Sequence, residues 1–158
     1  MDVKIRIFII SAAISLSACA SVPIAQHTKA QQKHDRLKGL SARVLTAGEC
    51  GLFVWTADEN KQFVLFSQTQ KARANWLSPS GEIALSVTSQ SGSPRQGQYP
   101  QQTLTAQDGG ALRLDLRSPQ TIENGTRYQA GTLSHSDAEG WDRVTPVVGL
   151  SACQSANG

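Results

Sequence analysis

The chain has 158 residues, which is enough for one domain with its own hydrophobic core. Only 39% of the residues are hydrophobic and 17% are charged, a composition that favours short strands and polar loops over long helices. The net charge of +3, without a dense run of Lys and Arg, gives no electrostatic reason to expect nucleic-acid binding.

The first residues have the build of a secretory leader. Lys4 and Arg6 supply positive charge, and mostly apolar residues follow over 7–16. This apolar stretch is too short for a helix that crosses a bilayer, which needs about 20 residues. Residues 1–18 are therefore predicted to be a signal peptide that the mature protein lacks.

The end of this leader, Leu16-Ser17-Ala18-Cys19, resembles the bacterial lipobox, in which small residues precede an obligatory cysteine. The resemblance implies that Cys19 becomes the acylated N-terminus of a lipoprotein. Two or three acyl chains, such as palmitate, anchor durably, whereas a single chain holds only marginally. Ala20 in place of Asp implies sorting to the outer membrane, with the domain facing the periplasm. The alternative is an ordinary secretory signal with a cysteine near its cleavage site.

The two remaining cysteines form an even pair in a compartment where thiols oxidise. We therefore predict a disulfide between Cys50 and Cys153, which lie near opposite ends of the folded region. Closing a loop of about 100 residues stabilises a fold by at most about 4.7 kcal/mol in the chain-entropy model. The alternative is two separate buried thiols.

Residues 19–39 contain few large apolar side chains and are predicted to be the lipidated N-terminus and a polar tether. The tether is basic, so contact with anionic lipid headgroups is an alternative to a solvated linker. His27 and His34 lie in it, but two imidazoles without a third ligand make a poor zinc site. We predict no metal and no cofactor.

From about residue 40 the apolar residues recur with period two, which places successive side chains on opposite faces of a strand. Residues 81–88 and 111–117 alternate in this way. Residues 52–55 and 63–66 are apolar on both faces and are predicted to lie at the centre of the fold. Residues 40–158 are therefore predicted to form an all-β domain: an antiparallel β-sandwich or small barrel of about eight to ten strands, closed by one disulfide.

An internal repeat supports this prediction. A shift of 29 positions aligns residues 81–108 with residues 110–137 without a gap and with seven identities. Each unit reads as a strand, a polar loop and a second strand that opens at a tyrosine. Two such units predict a meander of similar hairpins rather than a solenoid, which needs at least about three repeats.

Residues that could support catalysis are scattered. His135 is flanked by two serines and by Asp137, but on a strand both serines point away from the face that His135 and Asp137 share. A catalytic triad needs groups that converge in space, so this run gives little support for catalysis. The sequence predicts that the protein is not an enzyme. A pair of carboxylates from distant strands, acting on cell-wall glycan, is kept as an unlikely alternative.

Three tryptophans offer apolar surface. Trp55 lies in the most apolar run and is predicted to be a core residue. Trp76 and Trp141 border polar turns, where they either cap the core or contact a partner. Such a partner would be another envelope protein or peptidoglycan.

The segment SGSPRQGQY at residues 91–99 follows a predicted strand. Together with the lipobox and the two domain cysteines, it resembles the membrane-bound inhibitors of C-type lysozyme, in which a Ser-Gly-rich loop with a basic residue and a tyrosine plugs the enzyme's cleft. The resemblance implies contacts from Ser91, Gly92, Ser93, Arg95 and Tyr99. The segment departs from the family at Pro94 and in the residues inserted before the tyrosine. The pI of about 8.9 also argues against binding a basic lysozyme.

The sequence thus predicts a lipid-anchored envelope lipoprotein that faces the periplasm and has a non-catalytic binding or scaffolding role. Its membrane contact is through acyl chains on Cys19. Candidate partner contacts are Trp76, Trp141, Arg95 and Tyr99. Lysozyme inhibition is the first alternative.

Overall fold

The computed structural model describes residues 39–136 and 140–156, which form one closed antiparallel barrel of eight strands. In chain order the strands are β1 (Cys50–Thr56), β2 (Phe63–Gln68), β3 (Arg73–Ser78), β4 (Gly81–Ser91), β5 (Gln101–Thr105), β6 (Ala111–Ile122), β7 (Gly125–Ser136) and β8 (Asp142–Cys153). Each strand pairs with its neighbours in sequence, and β8 returns to pair with β1. The predicted all-β fold is confirmed, as a barrel rather than a sandwich. Cys19 and the predicted leader lie outside the described residues.

The core is the inside of the barrel. Side chains alternate between the inside and the outside of the barrel over most of its strands, because the side-chain period of a strand is two. The alternation is interrupted in β2, where Val64 and Leu65 both belong to the core beside an irregularity in the β1–β2 register. An eight-stranded barrel is just wide enough for the inward side chains to fill its interior. The buried apolar residues of this core are Leu52, Val54, Val64, Leu65, Ala74, Leu85, Leu104, Leu112, Leu114, Leu116, Tyr128, Leu133 and Val147.

The internal repeat corresponds to two successive hairpins, β4–β5 and β6–β7. Leu85 and its repeat partner Leu114 both point into the core, as do Leu104 and Leu133. The predicted meander of similar hairpins is confirmed for these strands. The two hairpins differ at the tyrosine: Tyr128 lies within β7 and is buried, whereas the equivalent residue of the first hairpin lies in the loop before β5.

The predicted disulfide between Cys50 and Cys153 is present. The two residues face each other at the first position of β1 and the last position of β8. The covalent bond therefore joins the two strands whose pairing closes the barrel.

The outer face of β1 and β2 carries an aromatic cluster, which we define as Phe53, Trp55, Phe63 and Phe66. The ring centroids of Phe53 and Phe66 lie 5.0 Å apart, and those of Trp55 and Phe63 lie 5.4 Å apart. Trp55 pairs with Val148 and Phe63 beside the inward-pointing Val54, so it faces outward. The prediction that Trp55 is a core residue is wrong. A barrel has only one interior, so alternate side chains of a strand that is apolar on both faces point outward.

The segment before β1 crosses this outer face and covers part of it. The backbone N–H of Leu40 donates a hydrogen bond to the carbonyl of Phe63 at 2.7 Å. Arg43 places its guanidinium 6.0 Å from the ring centroid of Phe66 and forms an ion pair with Glu82. The remainder of the aromatic cluster, around Phe53, Trp55 and Phe63, stays partly exposed.

Candidate functional site

The two ends of the barrel differ. The disulfide pole is the end at which β1 begins at Cys50 and β8 ends at Cys153. The open pole is the opposite end, where β1 ends at Thr56 and β8 begins at Asp142. The connection between β4 and β5, residues 92–100, folds over the disulfide pole and is called the plug loop here.

Gln98 fixes the plug loop to the barrel. Its side chain is fully buried, and its Oε1 accepts hydrogen bonds from the backbone N–H and the hydroxyl of Thr69, each at 3.1 Å. The carbonyl of Arg95 accepts a hydrogen bond from Ser151 Oγ of β8 at 2.8 Å. The loop is thus held on one side by the β2–β3 connection and on the other by β8.

The centre of the plug loop is a tight turn. Arg95 and Gln98 exchange two backbone hydrogen bonds of 2.8 Å each. The two residues between them, Gln96 and Gly97, have φ angles of 47° and 68°. Positive φ at both central positions is the pattern of a type I′ turn, which joins two short antiparallel segments tightly. Ser93 and Arg95 therefore stand exposed on a loop of fixed shape.

Of the residues implied by the loop resemblance, the structure brings Ser93 and Arg95 together. They line a cavity of about 230 Å³ between the loop and the barrel, whose other walls are Pro100, Leu116, Pro119 and Tyr128. Ser91 instead donates a hydrogen bond to Gln101 at 2.8 Å. Tyr99 is partly buried, and its carbonyl accepts a hydrogen bond from Gln102 Nε2 at 2.8 Å. These two residues do not line the cavity.

Tyr128 forms the inner wall of this cavity. Its side chain is 2% exposed, and its Oη has no hydrogen-bond partner among the residues that the structure describes. Burial raises the pKa of the Tyr128 hydroxyl, while the charge of Arg95 acts in the opposite direction. The Tyr128 hydroxyl is therefore protonated, and it lies below the charged side chain of Arg95.

The open pole holds the aromatic pair Trp76 and His135. Their ring centroids lie 4.8 Å apart with an interplanar angle of 60°. Trp76 packs against the core at the edge of a cavity of about 270 Å³, so of its two predicted roles the structure shows the core cap. Trp141, at the same pole, is 72% exposed. Trp141 and Arg95 are thus at opposite ends of the barrel and do not form one site.

The largest of the five cavities described, of about 560 Å³, is a groove on the outside of the barrel. We call it the outer groove. Val148 and Leu150 of β8 lie along it; Trp55 and Lys61 line the side towards β1, and Ile122, Arg127 and Gln129 line the side towards β7. No pattern in the sequence predicted this groove. The run VVGL at 147–150, which is apolar on both faces, was the available signal.

The described residues contain no group of three or more His, Cys, Asp or Glu placed to hold a metal ion. Of the five cavities described, none is lined by two carboxylates. Glu49 has a pKa of about 2, well below its ordinary value, because Lys71 and the backbone N–H of Thr46 donate hydrogen bonds to its carboxylate. This is a surface ion pair at the start of β1 rather than part of a cleft.

Within residues 39–136 and 140–156, no helix is long and apolar enough to cross a bilayer. Comparison of the chain with protein-family models, with curated proteins and with solved structures gave no significant match.

Proposed function

We propose that the protein is an outer-membrane lipoprotein, anchored through acyl chains on Cys19, whose barrel binds a partner in the envelope without catalysing a reaction. Support for the anchor is the order of positive charge, apolar run, small residues and cysteine at the N-terminus. Support for a binding role is the shape of the barrel itself: its interior is packed, and a fixed loop crosses one end.

The main observation in favour of a binding role is the position of Arg95. Arg95 is exposed, and the loop to which it belongs is held in place by the buried Gln98. No ion pair to Arg95 is found within the described part of the chain. Because the loop is already fixed, pairing of the Arg95 guanidinium with a carboxylate orders no further backbone, and its planar fork favours bidentate pairing. The partner on this surface is therefore expected to present a carboxylate, from an acidic protein side chain or from the peptide part of peptidoglycan.

The anchor and the loop are tested separately. Mass spectrometry of the protein purified from its native host is expected to find a diacylglyceryl-modified Cys19 as the N-terminal residue. An unmodified chain would refute the proposed anchor.

For the loop, the tagged mature protein is used to capture partners from envelope extract, in parallel with Arg95→Ala and Arg113→Ala. Arg113 is an exposed arginine at the start of β6, at the open pole, and serves as the control. We expect Arg95→Ala to lose the captured partner and Arg113→Ala to retain it. Equal capture by both variants would refute a role for the plug loop.

Inhibition of a C-type lysozyme is the second candidate function. It is favoured by the plug loop, because the segment that resembles the inhibitor loop is also the segment that lies across the disulfide pole with Ser93 and Arg95 exposed. The test is clearing of a cell-wall suspension by lysozyme with and without the purified protein. Slower clearing that is restored in Arg95→Ala would support inhibition, and unchanged clearing would exclude it.

A further inference from the structure

The outer groove is apolar along its floor and cationic at both sides. Val148 and Leu150 project outward from β8, and Trp55 of β1 stands beside them. A large apolar concavity with a few polar groups at its rim is the usual form of a binding site. Val148 and Leu150 follow one another along a single strand, an arrangement that suits a linear apolar group.

Two cations flank this floor. Lys61 belongs to the β1–β2 connection and Arg127 to β7, so they lie on opposite sides of β8. No ion pair to either residue is found among the residues that the structure describes. Cations that form no ion pair beside an apolar surface complement an amphiphile with an anionic headgroup.

The polypeptide enters the barrel close to this groove. Gly39, where the described chain begins, packs on Phe63, since a Cβ built on Gly39 would lie 2.9 Å from the backbone N of Phe63. Phe63 contacts Trp55, and Trp55 lines the groove. Residues 19–38 can extend at most about 60 to 70 Å. A membrane anchor at Cys19 would therefore attach to the barrel on the side that carries the groove.

We propose that the outer groove binds an anionic phospholipid at the surface of the membrane, with an acyl chain over Val148 and Leu150 and the headgroup phosphate at Lys61 or Arg127. The proximity to a membrane rests on the proposed anchor at Cys19, whereas the fit of the groove to an anionic amphiphile does not. Trp55 would lie at the lipid–water boundary, where tryptophan is favoured because its ring is apolar and its N–H is polar.

The test uses the full mature chain with Cys19→Ser, so that binding depends on the protein surface and not on its own lipid. Co-sedimentation is measured with vesicles of phosphatidylglycerol and phosphatidylcholine and with vesicles of phosphatidylcholine alone. We expect binding to the anionic vesicles only. In the double variant Lys61→Glu with Arg127→Glu, we expect the affinity for the anionic vesicles to fall by at least about tenfold, since each surface cation contributes about a factor of five.

The matched control is Arg73→Glu with Arg113→Glu, which changes the net charge equally at exposed positions on β3 and β6. The basic tether contributes to vesicle binding in every variant. The difference in affinity between the two double variants therefore measures the contribution of the groove. An equal loss of affinity in both pairs would overturn the proposal. Circular dichroism of each variant checks that the barrel is retained.

Lipid contact is measured directly with phosphatidylglycerol brominated on its acyl chain, which quenches nearby tryptophan. We expect the brominated lipid to quench the tryptophan fluorescence of the Cys19→Ser chain. Most of this quenching should be lost when Trp55→Phe is added, although Trp76 and Trp141 are still present. Quenching that persists in Trp55→Phe would overturn the proposal.

A photo-crosslinking residue in place of Gln129 identifies the occupant in cells. A lipid adduct is expected, and an adduct with a protein would reassign the groove to protein docking. These results stand whether or not Cys19 proves to be acylated, so the two proposals can fail independently.

Discussion

Cys50 and Cys153 face each other across the β1–β8 pair, so the disulfide joins the strands that close the barrel. The seven residue pairs of this seam also close it by backbone hydrogen bonds. The disulfide and the strand pairing therefore hold the same two strands together. The disulfide restricts the unfolded chain, whereas the strand pairing stabilises the folded barrel.

Replacing both cysteines, Cys50→Ser with Cys153→Ser, is expected to lower the free energy of unfolding by about 2–4 kcal/mol. The barrel should still form, because the ladder between β1 and β8 does not depend on sulfur. Urea denaturation gives the loss of stability, and the far-ultraviolet circular dichroism spectrum checks the strands. A variant that is unfolded without denaturant would show that the seam depends on the covalent bond.

Gln98→Ala is expected to destabilise the protein by about 1–3 kcal/mol, since it leaves the backbone N–H of Thr69 without its buried acceptor. Amide hydrogen exchange at Thr69 should accelerate in the same variant. Gln107→Ala, in the exposed β5–β6 turn, is the control and should change neither quantity. Similar values for the two variants would mean that the plug loop is not held by Gln98.

Gly149→Ala is expected to cost about 1–3 kcal/mol, because a Cβ there would lie 2.8 Å from Leu116 Cδ1 in a filled core. Combining it with Leu116→Val should recover part of the loss, which a double-mutant cycle measures as a favourable coupling. Gly125→Ala is the contrasting variant. Its Cβ would lie 2.2 Å from the carbonyl oxygen of Ser151, and no side-chain change can relieve a clash with backbone.

The ion pair between Glu49 and Lys71 predicts a small acid-dependent loss of stability. The pKa of Glu49 falls from 4.5 to about 2 on folding, so the pair stabilises the fold fully above about pH 4.5 and loses this effect as the pH falls towards 2. The effect is small because the pair is exposed to solvent. Denaturation midpoints between pH 2 and 6 should depend less on pH in Glu49→Gln than in the parent, whereas Glu59→Gln should behave like the parent.

Local patterns in the sequence were sufficient for the strands and for the hairpins. Leu85, Leu114, Leu104 and Leu133 all point inward, as period two and the repeat predict. No local pattern encodes the closure of the barrel, because the pairing of β1 with β8 joins segments about 100 residues apart. The cysteine pair was the one signal that these segments meet.

The parts of the candidate site that sequence analysis missed are those in which tertiary structure overrides composition. Gln98 is fully buried although it lies in a polar loop, because its side-chain amide accepts the hydrogen bond of the Thr69 backbone N–H at the disulfide pole. Trp55 is in the most apolar run but faces outward, because the inward positions of β1 belong to its neighbours. Tyr99 ends the Ser-Gly-rich segment and precedes Pro100, whereas Tyr128 lies within β7, and of the two only Tyr128 lines the cavity below Arg95.

Closure of the sheet also restricts how anything can bind to it. A sheet with a free edge offers a row of unpaired N–H and C=O groups, to which a foreign peptide can add as an extra strand. Each of the eight strands here pairs with a neighbour on both sides, so none of them is an edge strand over its whole length. Residues 117–122 of β6 extend past β5 and pair with β7 alone, so this short stretch keeps one unpaired side. Over most of the barrel a partner must therefore recognise side chains rather than main chain, and the same property restricts edge-to-edge joining of copies of the protein.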